Sequence, residues 1–422
     1  MQERSIFPQI WQEIESDKIL LLNGARQIGK TSLMQMIREK LITDQKVPAD
    51  HIHWFDLEKV EDLSIWSNQT AVLSILPIND QTKHYIFIDE FQLSLTIGAT
   101  LKVLHDHHPQ FKIIITGSAS WYLSLDESMA GRKRVFAIWP LDFPEYLTWK
   151  NERLLKYYQL GNQNPNQLTL EIVQLLNTAY VDFIRYGGYP AVVKTDNRDE
   201  KIKILEELLN SYILKDIQLH QFTANSLQVK KLLTLLASQA GSLLDIPGLA
   251  LNSGLKRGVL ENRLDLLQNT FIAHFVRPYF TNKTKELVKN PKIYLIDSGL
   301  RQFLLNNFSV QPKTASFGQT VENAIIVSLL KTWDPLKQIY YWRTKSGQEV
   351  DIIIKKSEAL IPIEIKAGDA NQIPAGIKSF INQYKPSHAY VLNWSIIESQ
   401  KYQSCQVDFR PLWFVPSLAL NR

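Results

Sequence analysis

The sequence predicts an α/β protein built in three parts, and three observations carry that prediction. Short apolar runs alternate with helical stretches through the first third, a glycine-rich loop follows one of those runs, and the alternation returns in the last third after a mainly helical middle. Residues 19–22, 53–56, 85–89, 112–116 and 135–138 read as strands, with helices at 32–40 and 97–107, which is the pattern of a parallel sheet covered by helices. Apolar spacings of three and four residues predict helices over 166–184, 199–219 and 226–239. Next come a helix at 245–251, a turn at Asn252–Gly254, a helix at 256–268 and two strands at 271–278 and 292–296, the order of a winged helix. A helix at 320–331 and strands at 339–343, 349–355, 360–366 and 388–392 complete the chain. Polar stretches at 161–167 and 306–316 suggest domains of 1–155, 156–311 and 312–422.

Composition sets the outer bounds. A chain of 422 residues, 45% of them hydrophobic, can bury two or three cores. With 21% charged residues and no stretch dominated by Pro, Gly or Ser, no long disordered span is expected. The net charge of +5 is compatible with nucleic acid but does not demand it. A single cysteine, Cys405, rules out an internal disulfide framework and a cysteine-based zinc cluster, and it fits a reducing cytoplasm. The N-terminus lacks an apolar signal core, and no apolar run approaches the roughly 18 residues that span a bilayer, so a soluble, cytoplasmic protein with no membrane partner is expected.

Residues 24–31, Gly-Ala-Arg-Gln-Ile-Gly-Lys-Thr, match G-x-x-x-x-G-K-[ST] between an apolar strand and a helix. Gly24 and Gly29 allow a tight loop whose amides, with those of Ala25, Gln27 and Ser32, face ATP phosphates. Lys30 is placed to reach the β- and γ-phosphates and the Thr31 hydroxyl to bind Mg²⁺. His84 to Glu90 is an apolar strand ending in two acids: Asp89 for the metal, Glu90 to orient or deprotonate the attacking water. Thr116 and Ser118 end another strand, where a hydroxyl either senses the γ-phosphate or caps a helix. Arg132 is either a transition-state arginine, within the chain or across a subunit boundary of a homo-oligomer, or part of a basic surface turn.

A second acidic set lies near the C-terminus. Asp351 falls in one predicted strand and Glu364 and Lys366, two apart and therefore co-facial, in the next. A tight hairpin around Ser357–Glu358 sets Asp351 opposite Glu364, where their carboxylates can share a divalent metal, Mg²⁺ or Mn²⁺, with Glu322 as a third ligand and Lys366 stabilising charge or positioning water. That site suits metal-dependent phosphodiester hydrolysis. The plain alternative is a salt-bridged hairpin in which Lys366 pairs with Glu349.

Lys256, Arg257, Asn262 and Arg263 stand on the second helix of the helix-turn-helix pattern, which serves either DNA or only internal packing or protein contact, since Glu261 and Asp265 dilute its charge. The run Arg185-Tyr-Gly-Gly-Tyr-Pro190 reads as a chain turn, and His105, His107 and His108 as a helix end.

Taken together, these residues resemble the bacterial and archaeal family of AAA-type ATPases that carry a C-terminal domain of unknown function. The marks are Gly24–Thr31, Ile-Asp-Glu at 88–90, Thr-Gly-Ser at 116–118, Ala-Gly-Arg at 130–132 with Pro-Leu-Asp-Phe at 140–143, Gly-Gly-Tyr-Pro at 187–190, Tyr-Leu-Ile-Asp-Ser-Gly-Leu at 294–300, Gly-Gln-Thr-Val-Glu-Asn at 318–323, Glu-Val-Asp at 349–351 and Pro-Ile-Glu-Ile-Lys at 362–366. The resemblance implies an AAA-type ATPase core, a helical and winged-helix middle domain, and a C-terminal fold similar to PD-(D/E)XK nucleases, whose motif Glu322, Asp351, Glu364 and Lys366 match. Two functions follow as expectations: an ATP-hydrolysing, DNA-processing protein that remodels or branch-migrates DNA, or an ATP-dependent signalling or defence switch whose winged helix and inactive nuclease-like domain bind protein partners.

Overall fold

The computed structural model describes residues 2–117, 129–212, 226–281, 289–312, 314–331 and 337–414. Ser118 and the end of the predicted 199–219 helix lie outside the described residues. The chain divides into two compact units: residues 1–139 with 269–271, and residues 140–268 with 272–422.

The first unit is a five-stranded sheet, β1 (Ile19–Gly24), β2 (Ile52–Asp56), β3 (His84–Asp89), β4 (Phe111–Gly117) and β5 (Lys133–Ile138). The five strands that the apolar alternation predicts are all present, each extended by at most two residues at an end. All pairings are parallel, in the order β2-β3-β4-β1-β5. β1, β3 and β4 are buried throughout, as continuous apolar runs covered on both faces must be. Ile86, Ile88, Leu101, Leu104, Ile113 and Trp66 form the core beside the sheet. The sheet order decides the site: β4 lies between β1 and β3, so Thr116 stands between the glycine-rich loop and Asp89.

The second unit begins earlier than residue 155 because Phe143, Tyr146 and Leu147, on the helix Phe143–Lys150, pack with Tyr158, Leu176, Tyr180 and Ile184. Asp142 starts that helix with a reciprocal capping box to Glu145. The Gly187–Pro190 turn is locked by Asp297, whose Oδ2 accepts from Gly188 N at 2.8 Å while Oδ1 caps the next helix at Leu300 N, 2.9 Å. A Cβ at residue 188 would lie 2.0 Å from the Leu141 carbonyl, so only glycine fits.

Helices Ile246–Ser253 and Arg257–Asn269 are followed by the antiparallel pair β6 (Ala273–Val276) and β7 (Lys292–Leu295). A helix, Ala315–Lys331, precedes a six-stranded sheet: β8 (Lys337–Arg343), β9 (Glu349–Lys356), β10 (Ala359–Ile365), β11 (His388–Asn393), β12 (Glu398–Tyr402) and β13 (Cys405–Pro411), in the order β12-β13-β11-β10-β9-β8. The helix Ala375–Tyr384 and strands β12 and β13 escape the sequence reading. β12 carries only polar and half-exposed residues, as an edge strand does, so its pattern has no apolar period to detect. Asn323 stands in for a strand neighbour of β7, accepting from Leu295 N at 2.9 Å and donating to Leu295 O at 2.7 Å. No helix among the described residues is long and apolar enough to cross a membrane.

Candidate functional site

At the C-terminal end of β1 the backbone enters the left-handed region at Gln27 (φ 56°) and Gly29 (φ 97°), and Gly29 caps the helix Lys30–Thr43. That helix N-terminus presents amides with no partner in the helix's own hydrogen-bond ladder and a partial positive charge, which suit it to bind phosphate. Gly24, Ala25, Gln27, Lys30, Thr31 and Ser32 thus all lie on one loop and the first turn of its helix. The buried Lys30 Nζ donates to the carbonyls of Gly24 at 3.1 Å and Ala25 at 2.9 Å, curled inside the loop. Arg4 braces the loop from outside, donating to Ile28 O at 3.1 Å and Trp139 O at 2.7 Å.

Asp89 is the hub. Its Oδ2 accepts from the Thr31 hydroxyl at 2.6 Å, and its Oδ1 from the Thr116 hydroxyl and from Glu90 N at 3.1 Å. Glu90 N also lies 3.2 Å from Thr116 Oγ1. Thr31 and Asp89 are the hard oxygen donors that Mg²⁺ prefers, and they already meet at one point, so the pair fits a nucleotide-bound Mg²⁺. Glu90 holds φ 54°, uncommon for a side chain other than glycine, asparagine or aspartate. Its carboxylate accepts from Gln92 and lies 3.8 Å from Arg26 on the loop. Sequence reasoning passed over Arg26 because the motif leaves that position free.

Arg132 requires a correction. It stands just before β5, and its carbonyl accepts from Ile19 N at the start of β1, the end opposite the loop. Six residues at about 3.3 Å each put roughly 20 Å of strand between them. Its guanidinium forms a fork with Asp106, Nε at 2.7 Å and Nη2 at 2.9 Å. Arg132 therefore does not serve its own chain's nucleotide loop.

In the second unit, β9 and β10 form the predicted hairpin, with Ser357 in the left-handed turn (φ 53°) and Ile352 opposite Ile363. Asp351 Oδ2 accepts from Ile365 N at 2.8 Å, which brings Asp351 beside Glu364. Lys366 pairs with Glu364 at 2.7 Å and not with Glu349, so the alternative of a Lys366–Glu349 bridge does not hold. Glu364 Oε2 is buried with no hydrogen-bond partner. An orphaned carboxylate oxygen beside a second carboxylate fits a divalent cation with oxygen preference.

The residue that sequence reasoning missed is Lys292, on β7. Only 4% of its side chain is exposed, and its Nζ meets Glu322 at 3.2 Å and Glu349 at 2.5 Å. Tyr294, two residues on and so on the same face, donates to Glu322 at 2.7 Å. Glu322 Oε1 is thus taken, which withdraws that oxygen from the metal role expected for Glu322. Burial works to lower the Lys292 pKa, but Glu322, Asp351 and Glu349 outweigh it and hold the group charged. Burial, and then Asp351, raise Glu322 and Glu364 to about 7, and burial raises Asp351 as well. A lysine in a strand read only as a wing gave the signal, in that Lys292 and Tyr294 alternate with the apolar Ile293 and Leu295.

On the helix Arg257–Asn269, Lys256, just before it, and Arg257 and Asn262 are exposed, and Arg257 is bound to Glu261 at 2.8 Å. Arg263 is 8% exposed and turned inward beside Leu264 and Leu267, so it does not face a nucleic-acid groove as expected.

Comparison with known proteins agrees with the first unit and leaves the rest open. Residues 16–147 match the AAA domain family, residues 177–311 a domain of unknown function (DUF8612) and residues 317–407 another (DUF4143). An uncharacterized protein of Haemophilus influenzae is 25% identical over 414 residues, covering 95% of this chain and 94% of its own. An uncharacterized protein of Methanocaldococcus jannaschii is 26% identical over 364 residues, 84% of this chain and 76% of its own. Among solved structures, the Walker-type ATPase of Pyrococcus abyssi aligns over 72% of this chain and 96% of its own at 14% identity, with a TM-score of 0.45. Residues 16–147 are thus similar to the AAA domain family, and they carry the phosphate loop and the acid-ended strand of a P-loop nucleotide site.

Proposed function

We propose that the chain hydrolyses ATP to drive work on DNA, and that the hairpin β9–β10 carries a nuclease-like site. The observation that carries the reading is the juxtaposition of Asp351, Glu364 and Lys366 on that hairpin, with the buried Glu364 Oε2 left unpaired. In the first unit, Lys30 and the loop amides bind the phosphates, Thr31 and Asp89 hold Mg²⁺, Glu90 takes a proton from water, and Thr116 ties the γ-phosphate position to Asp89. Bound Mg²⁺ neutralises phosphate charge. In the second unit, Asp351 and Glu364 would hold Mg²⁺ or Mn²⁺ and Lys366 would position water beside a phosphodiester. The helix pair Ile246–Asn269 with β6 and β7 acts as a winged helix that presents Lys256, Arg257 and Asn262 to DNA.

A second reading, a nucleotide-dependent switch with an inactive nuclease-like domain, is favoured by Lys292, a lysine already seated among the carboxylates where a cation is needed. ATPase and cleavage assays on single-stranded, duplex and branched DNA with Mg²⁺ or Mn²⁺ separate the two. DNA-stimulated hydrolysis, with cleavage lost in Asp351→Ala, supports the first. Failure to bind any DNA at low salt sinks it.

A further inference from the structure

Three histidines and an aspartate gather at the ends of β2 and β3 remote from the phosphate loop. His51 closes the turn Ala49–His51, His53 is the second residue of β2, His84 opens β3, and Asp80 lies in the loop before it. One ligand atom from each of His51, Asp80 and His84 lies within 4.8 Å of the other two, and this is the one such group of three among the described residues. The histidines at 105, 107 and 108 do not join it.

What marks the group is the state of the atoms that face away from its centre. His51 Nδ1 lies 3.2 Å from the Lys83 carbonyl, which only accepts, so Nδ1 carries the hydrogen and the neutral ring keeps its lone pair on Nε2. Asp80 Oδ1 accepts from Thr82 N at 2.8 Å and Thr82 Oγ1 at 2.7 Å, leaving Oδ2 to face His84 Nε2 at 3.0 Å. His84 Nδ1 faces His53 Nε2 at 3.2 Å, and the buried His84 ring lies 4.4 Å from the His51 ring. The outer atoms of His51 and Asp80 are thus held from the far side, the arrangement that orients ligands around metals; His84 Nε2, which faces the Asp80 carboxylate and lies 3.4 Å from Thr82 Oγ1, carries a hydrogen that a metal must displace.

We propose that His51 Nε2, His84 Nε2 and Asp80 Oδ2 bind Zn²⁺, with a fourth position open to water and His53 setting the His84 tautomer. Two imidazoles and one carboxylate match the donor preference of Zn²⁺ and not of Mg²⁺. The ion staples the 76–83 segment to the starts of β2 and β3.

The test uses full-length, tag-free, chelator-treated protein titrated with Zn²⁺ by calorimetry and followed by thermal melting. One equivalent is expected to bind and raise the melting temperature, with Mg²⁺ unable to compete. His51→Ala and Asp80→Ala should abolish binding, and His53→Ala should weaken it by about 10–100-fold, as loss of an outer partner does. Nucleotide binding at the wild-type level certifies the fold of each variant. If Asp80→Ala fails that check, Asp80→Asn keeps the Thr82 bonds and removes the charge. Absence of zinc binding, meaning that the network holds only protons, or undiminished binding in the Asp80 variant, overturns the proposal.

Discussion

The nucleotide end of the first sheet and the acidic face of the second both gather carboxylates, and they hold them by opposite means. Asp89 is fixed by the hydroxyls of Thr31 and Thr116 and by one main-chain amide, partners that orient a carboxylate without cancelling its charge. Glu322, Glu349 and Glu364 are fixed by Lys292 and Lys366, which cancel it. A site oriented by dipoles keeps its charge for an incoming cation; a site oriented by ammonium groups already has its cations, and a metal must compete with them. On the proposed reading the first unit takes a magnesium nucleotide as it stands, whereas a metal in the second would find only Glu364 Oε2 without a partner, Asp351 Oδ2 already accepting from Ile365 N.

The sharpest way to break this contrast is in the first unit. Lys30→Ala, like Asp89→Asn, should lower ATP turnover by at least about a hundredfold, because contacts to the phosphates and metal are lost together with the bonds these buried side chains make within the loop. Turnover within tenfold of wild type in a steady-state assay would remove the loop from the mechanism. Next in size is Lys292→Met. It leaves the buried Glu322 without its cation, whereas the half-buried Glu349 keeps Arg343 at 3.6 Å, so the expected cost is about 3 kcal/mol in urea unfolding. A variant as stable as the parent would show that those carboxylates do not need a lysine.

The pH dependence sharpens the same point. Glu322 and Glu364, at about 7, sit above the ordinary carboxyl value of 4.5. Between those pH values the folded chain retains protons at these two carboxyls that the unfolded chain has released, so their contribution to stability falls as pH rises from about 4.5 to about 7, while His274, lowered to about 4 by burial, contributes in the opposite sense. Urea midpoints at pH 5 and pH 8 measure this, and Glu364→Gln should flatten the difference. A midpoint that rises with pH and is unchanged by Glu364→Gln contradicts the burial assigned here. The smallest effect belongs to Arg132→Ala, which should leave turnover per molecule within about twofold in dilute solution, since that side chain sits at the far end of β5. A large loss that grows with protein concentration would instead place the arginine in a neighbouring subunit's site.

Much of the first unit was legible because its signals are local. A buried parallel strand is a short apolar run, and the phosphate loop is a contiguous motif, so β1 to β5 and Gly24–Thr31 could be read without tertiary knowledge. The hairpin β9–β10 was legible for the same reason, since a two-residue period and a tight turn together decide which side chains face each other. β12 and β13 were missed because β12 is a polar edge, and Arg263 was misplaced because a helix pattern dominated by charge hid the inward face that Leu264 and Leu267 share.

Sequence alone determined the chemistry available: a phosphate loop, an acid-ended strand, and an Asp, Glu and Lys on adjoining strands. Those identities and spacings are covalent facts. Tertiary structure decided who meets whom across distance. It inserted β4 between β1 and β3 and so gave Thr116 to Asp89, sent Arg132 to the opposite end of the sheet, and carried Lys292 to Glu322 and Glu349, 30 and 57 residues along the chain. The physical reason is that strand order and burial are settled by packing of whole elements, and no local periodicity encodes which charge a buried lysine will find.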